Sequence, residues 1–188
     1  MAKFTVVFDA CVLYPAPLRD TLMRLALTDL FKAHWTDKIH DEWINALLRQ
    51  GKHSKEVLER TRVLMDSHVR DAKVSNYESL IDGLNLPDPD DRHVLAAAIK
   101  VNADAIVTFN LKDFPTEYLQ QFGIDVVHPD DFIHYQIDMA TAVCCDAIRR
   151  QRAALKNPEI DVVNFLAILQ KQQLPQTVSA LRKYIQFL

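Results

Sequence analysis

Acidic side chains stand at the ends of the most apolar runs of this chain. Asp9 closes Val6-Val7-Phe8, Glu42 lies in an amphipathic stretch, Asp88, Asp90 and Asp91 open the run Val94–Ile99, and Asp113 follows the run Ala105–Thr108. A fold that gathers such carboxylates makes them repel, by about 4 kcal/mol for two charges ~4 Å apart at an effective dielectric near 20. Such a pocket needs protons or a cation, and hard divalent cations such as Mg²⁺ prefer oxygen ligands. The chemistry these residues point to is metal-dependent work on phosphates.

Each acid also has an ordinary structural use. Asp9 can cap a strand–loop junction. Glu42, at the edge of a face that Trp43 and Leu47 turn to the core, can be a solvated helix glutamate. Acids at a helix N-terminus gain ~0.3–1 kcal/mol each from the macrodipole, which accounts for one or two of Asp88, Asp90 and Asp91. Three exceed what one side-chain cap requires. A calcium loop is excluded, because the sixth position from Asp88 is His93 rather than Gly and the twelfth is Ile99 rather than Glu. Asn110 and Asp113 can belong to a polar turn, beside which Thr108 can orient a ligand by hydrogen bonding.

The elements that must position these residues are legible as periodicities. Val6-Val7-Phe8 is a continuous apolar run, as in a strand of a parallel sheet buried on both faces. Helical spacing runs from Leu18 to Ala33. Thr36-Asp37 signals the start of a helix over Lys38–Arg49, which Gly51 ends, and Ser54 caps the next. Ala72–Ser75 is a weak strand candidate. The alanines of Val94–Ile99 predict a helix packed closely on a sheet. Ala105–Thr108 and Asp125–Val127 read as strands, Thr116–Phe122 as a short helix stopped by Gly123, and Pro129 as a helix start. This alternation predicts an α/β sandwich with a mainly parallel sheet, whose sites form beyond the carboxyl ends of its strands. After Met139 only helices are expected, over Met139–Leu155, Ile160–Gln172 and Leu174–Phe187. The expected division is a domain over 1–137 and a helical appendage over 138–188.

Composition narrows the function. The 188 residues suffice for one sizeable core and a small appendage. Only three glycines are present, and neither Gly-rich phosphate-loop pattern occurs. Cys11, Cys144 and Cys145 have no metal-ligand spacing and read as buried thiols in a reducing compartment. Histidines show no zinc pattern. The first apolar run is too short for a signal segment or a membrane span, so a cytoplasmic protein with no membrane partner is expected. Residues 1–137 carry 15 basic and 21 acidic side chains, whereas residues 138–188 carry 7 basic and 4 acidic ones. An acidic body with a basic tail suits an acidic metal site plus a local basic surface.

The order of the acidic elements resembles the PIN-domain ribonucleases, most closely the VapC-type toxins of toxin–antitoxin pairs, over roughly residues 4–135. Asp9 matches the aspartate that ends the family's first strand, with Cys11 where Asn is common. Glu42 follows Thr36 by six residues, as the family's glutamate follows a Ser or Thr. Asp91, followed after two residues by Val94, Ala96, Ala97 and Ala98, matches the third acid, with Asp88 and Asp90 as neighbours acting through water. Thr108-Phe109-Asn110 matches the last motif in its Asn variant, and the fourth ligand is either Asn110 or Asp113. The resemblance implies a PIN-like three-layer α/β/α sandwich and cleavage of single-stranded RNA with Mg²⁺ or Mn²⁺. It also implies Asp9, Glu42, Asp91 and Asp113 as catalytic metal ligands, a cognate VapB-like antitoxin, and often a homodimer. Transfer RNA is the substrate the resemblance suggests first. Cys11 at the Asn position implies a lost side-chain hydrogen bond.

Other residues read more plainly. His93 is expected as an exposed first-turn histidine, and Trp35 and Trp43 as core residues rather than base-stacking platforms. Arg149, Arg150 and Arg152 form a run that is usually a solvated face but can meet RNA or an acidic partner. Lys112, Arg19 and Arg24 are comparable phosphate contacts. Two rivals remain. A hydrolase with an aspartate nucleophile wants a second Asp where Cys11 stands. A catalytically inactive PIN-like scaffold, binding RNA or protein, fits the Cys11 and Asn110 departures.

Overall fold

Val6, Val7 and Phe8 have no solvent exposure, as a strand covered on both faces requires. In the computed structural model, which describes residues 3–188, they belong to β1 (Phe4–Phe8). Met1 and Ala2, the start of the leading segment, lie outside the described residues. Helices α1 (Ala10–Leu13) and α2 (Ala16–Ala26) follow, then strand β2 (Phe31–His34). Next come α3 (Asp37–Arg49), α4 (Lys55–His68), α5 (Glu78–Ile81) and α6 (Arg92–Lys100). Strand β3 (Ala105–Val107), α7 (Thr116–Leu119) and β4 (Asp125–Val127) complete the alternating part. Four helices close the chain: α8 (Pro129–Met139), α9 (Thr141–Ala154), α10 (Val162–Lys171) and α11 (Pro175–Arg182). No helix among the described residues is long and apolar enough to cross a membrane.

The chain forms two compact units. One comprises the residues up to Tyr14 together with Phe31–His128, and carries a four-stranded sheet in the order β2-β1-β3-β4. Every pairing is parallel: Val6 lies opposite Ala33 on one side and Ala105 on the other, and Ile106 opposite Val126. From β1 the chain passes to β2 on one flank and later to β3 on the other. The carboxyl ends of β1 and β3 therefore flank the switch point at which parallel sheets form their sites. Helix α6 packs on these two strands through Val94, Ala96, Ala97 and Ala98, all fully buried. Thr36 caps α3 by accepting from the Ile39 N–H (3.0 Å), and Ser54 caps α4. The mixed α/β fold with a parallel sheet and additional C-terminal helices is as the sequence predicts.

Three expectations are corrected. The helix expected over Leu18–Ala33 ends at Ala26, where Thr28 and Asp29 turn the chain, Asp29 at φ 65°. Its last residues form edge strand β2, with Phe31 and Ala33 buried and Lys32 exposed. A period of two over four residues is too brief to outweigh the preceding helical spacing. Ala72–Ser75 supplies one parallel bridge, Lys73 to Trp35, rather than a strand. The second unit comprises Pro15–Leu30 and Pro129–Leu188, so a boundary at 137/138 would cut α8. Helix α2 joins the C-terminal helices because its stripe of Leu18, Leu22 and Leu25 is buried within the packing of α2 on α9.

Within that second unit, Asp130 and Gln151 are taken out of water with their polar groups matched. Asp130, 2% exposed, accepts the backbone N–H groups of Gln176 (2.9 Å) and Thr177 (2.8 Å) at the start of α11. The Gln151 amide donates to the Pro17 carbonyl (3.0 Å), while its oxygen accepts from Thr21 (2.9 Å).

Candidate functional site

Asp9 is 5% exposed and lies immediately beyond β1. Its own N–H extends the ladder to the Val107 carbonyl (3.1 Å), which fixes its backbone beside the end of β3. The carboxylate is held at both oxygens. Oδ1 accepts from the Ala10 N–H (2.6 Å), capping α1, and Oδ2 accepts from the Thr108 hydroxyl (2.7 Å) and the Cys11 thiol (3.1 Å). Of about four lone-pair positions on a carboxylate, three are occupied, leaving one on Oδ1 for a further ligand.

Cys11 replaces the expected loss with a substitute. Its sulfur donates to Asp9 and accepts from the Phe109 N–H (3.3 Å), so it joins the loops after β1 and β3. Burial, with Asp9 adding to it, pushes the thiol up to about 12, which keeps the proton that the donation needs. Cys11 therefore acts as a positioning donor to Asp9. Thr108, fully buried, orients Asp9 and also accepts the Asn110 N–H (3.0 Å).

The three acids before α6 separate by role. Asp88 is exposed and accepts the Asp90 N–H (2.8 Å), forming the cap of the turn Pro89–Asp91. Asp90 is exposed. Asp91 is half-buried and makes no capping hydrogen bond. Burial raises its carboxyl to about 7, and the charges of Asp9, Asp88, Asp113 and Glu42 push in the same direction. Acids from four separate segments thus act on one carboxyl group. Asp113, half-buried, lies on the 3-10 turn Leu111–Asp113, and Asn110 is exposed just before it. Among the described residues, no three His, Cys, Asp or Glu side chains form a ready-made metal-ligand group. The donor chemistry nevertheless fits a hard cation: carboxylate oxygens whose mutual repulsion a positive ion would relieve, beside a protonated thiol.

Glu42 is half-buried on α3, and its Oε1 lies 2.7 Å from Nε2 of His93. His93 is 1% exposed, which corrects the expectation of a solvated histidine. It opens the fully buried face of α6, and a sequence pattern places a first-turn residue on a helix without saying what covers it. Trp35 and Trp43 are core residues, as expected. Trp43 donates to His40 Nδ1 (3.0 Å), and Trp35 donates to Asp66 (2.8 Å), which also receives His40 Nε2 (2.9 Å).

The basic candidates divide likewise. Lys112 is exposed beside Asp113. Arg19 and Arg24 are on α2, where burial lowers Arg19 to about 10 and Arg24 pairs with Asp20 (3.0 Å). On α9, Arg149 and Arg150 share Asp146 at 2.6 and 2.8 Å. Arg152 departs from the expected run. It donates to the carbonyls of Ile160 (2.9 Å) and Leu188 (3.2 Å), and so ties the end of the second unit together.

Comparison with known proteins adds two matches along the chain. A family model described as a PIN domain matches residues 5–112, and one described as the VapC50 C-terminal domain matches residues 129–183. A protein of Mycobacterium tuberculosis (strain ATCC 25618 / H37Rv) named "Putative ribonuclease VapC50" is 48% identical over 63 residues, 34% of this chain and 37% of that relative. In that match the chain spans little more than a third of the relative's length.

Proposed function

The chain belongs to the PIN-domain family, and from that premise we propose that it is a metal-dependent endoribonuclease, the toxin of a VapBC-type toxin–antitoxin pair. The observation that carries the proposal is the half-buried Asp91 carboxyl, on which Asp88 of its own turn and Asp9, Glu42 and Asp113 of three other segments all act. A scaffold gains nothing from that repulsion, whereas a cation site requires it. Asp9, Asp91 and Glu42 would hold Mg²⁺ or Mn²⁺, with Asp113 or Asn110 completing the set and Asp88 and Asp90 reaching it through water. The bound ion would polarise the scissile phosphate and lower the pKa of a bound water.

The chain's own residues prepare that chemistry. Thr108, Cys11 and the Ala10 N–H fix Asp9 before any ligand arrives. Asp91 must release its proton on metal binding, so Mn²⁺ affinity falls as pH drops below about 7. Lys112, exposed beside Asp113, would meet a substrate phosphate, and Arg19, Arg149 and Arg150 are weaker candidates. Substrate and partners follow the same reading: RNA, with transfer RNA to be tried first, a VapB-like antitoxin and a homodimer.

Cleavage of a defined single-stranded RNA in Mg²⁺, with and without chelator, tests the proposal. Asp9→Asn and Asp91→Asn are expected to fall below a hundredth of the wild-type rate, about 2.7 kcal/mol of transition-state stabilisation. A fully active Asp9→Asn variant would refute it. Cys11 in place of Asn, with no ready-made ligand group among the described residues, favours a second reading as a catalytically inactive scaffold. Absence of Mn²⁺ binding by calorimetry, with Asp9→Asn indistinguishable from wild type, would select the scaffold.

A further inference from the structure

We propose that His93 is a positioning residue that holds the Glu42 carboxylate at the acidic pocket, an inference that rests on the metal-site reading above. Two histidines in the same unit make the argument by contrast. His40 is fully buried and both ring nitrogens are matched, one by Trp43 and one by Asp66. His93 is equally enclosed, yet neither ring nitrogen has an aligned hydrogen bond among the described residues. Its Nε2 approaches Glu42 Oε1 to 2.7 Å, off the axis of a ring N–H.

Burying an unmatched polar ring opposes folding, and a leucine or phenylalanine would fill the same place without that cost. Two lone pairs also do not approach to 2.7 Å, so the ring faces Glu42 with Nε2 as its donor nitrogen. The ring itself cannot move far, because it is 1% exposed on a helix whose next residues, Val94–Ala98, are fully buried. Glu42, by contrast, has a side chain 36% exposed and several rotatable bonds. The immobile partner therefore restricts the mobile one. Groups that orient a ligand in this way commonly contribute about 10- to 100-fold to metal affinity.

Four variants of the full chain test this: His93→Phe, which fills the volume without an N–H, His93→Gln, which keeps a donor, Glu42→Ala, and His93→Phe combined with Glu42→Ala. Mn²⁺ affinity is read by calorimetry and the metal-free melting temperature by circular dichroism. His93→Phe is expected to weaken Mn²⁺ binding about tenfold while the melting temperature holds or rises, and His93→Gln to recover most of that affinity. In the Glu42→Ala background, His93→Phe should produce no further loss. Unchanged Mn²⁺ affinity in a folded His93→Phe protein would overturn the inference, as would a folded His93→Gln protein that binds Mn²⁺ no better than His93→Phe, or the same loss with Glu42 absent. A wild-type chain that binds no Mn²⁺ would instead overturn the metal-site reading and this role with it.

Discussion

Asp91 and Asp146 are the same residue type in opposite company. Asp146, on α9 of the second unit, is held below the usual carboxylate range by the Arg149 hydrogen bond, with Arg150 adding its charge. Asp91, in the sheet-bearing unit, is driven up by burial and by four other acids. In the helical unit Asp20 and Asp146 lie beside arginines, and the buried Asp130 receives two backbone donors. At the carboxyl edge of β1 and β3 like charges are placed together and left to repel. Charge matched on the spot needs no further partner, whereas the gathered like charges are what the proposed cation site rests on.

Removing an acid should therefore act oppositely in the two units. Asp130→Ala leaves two N–H groups of α11 without their acceptor, and is expected to lower stability by about 2 kcal/mol in chemical denaturation. A neutral outcome would break the contrast.

Asp91→Asn should do the reverse in metal-free protein, because the raised carboxyl favours the protonated form in the folded state. Its folded value of about 7 exceeds the ordinary 3.8, so its cost to stability is absent below pH 4. That cost grows as pH rises between the two values and is complete above pH 7. The variant should melt on the order of 2 °C higher at pH 8, after allowing for solvent screening, and at the wild-type temperature near pH 4. A lower melting temperature at pH 8 would remove the repulsion argument. The same substitution at Asp9 is not expected to stabilise, since its carboxylate is already bound by three donors.

The smallest effect belongs to the exposed arginines. Arg149→Gln with Arg150→Gln should shift melting by no more than about 1 °C and change RNA cleavage less than about twofold. A larger loss of cleavage with unchanged melting would mean that this face meets RNA, which would sharpen the contrast into one between binding and chemistry.

Much of this architecture was written locally. The apolar runs before Asp9 and Asn110, the caps Thr36 and Ser54, and the small-residue face of α6 are patterns within a few residues of each other, and backbone preferences act over that distance. They sufficed for the parallel sheet, for the order of the acidic elements and for the helical C-terminal segments. Edge strand β2 escaped because its alternation covers only Phe31–His34. Which of Asp88, Asp90 and Asp91 feels the other acids depended on burial and on neighbours far away in sequence. So did the thiol of Cys11 replacing an amide donor, the pairing of Glu42 with His93, and the grouping of α2 with the last helices. Those properties belong to distances between segments, and only the packed chain sets such distances.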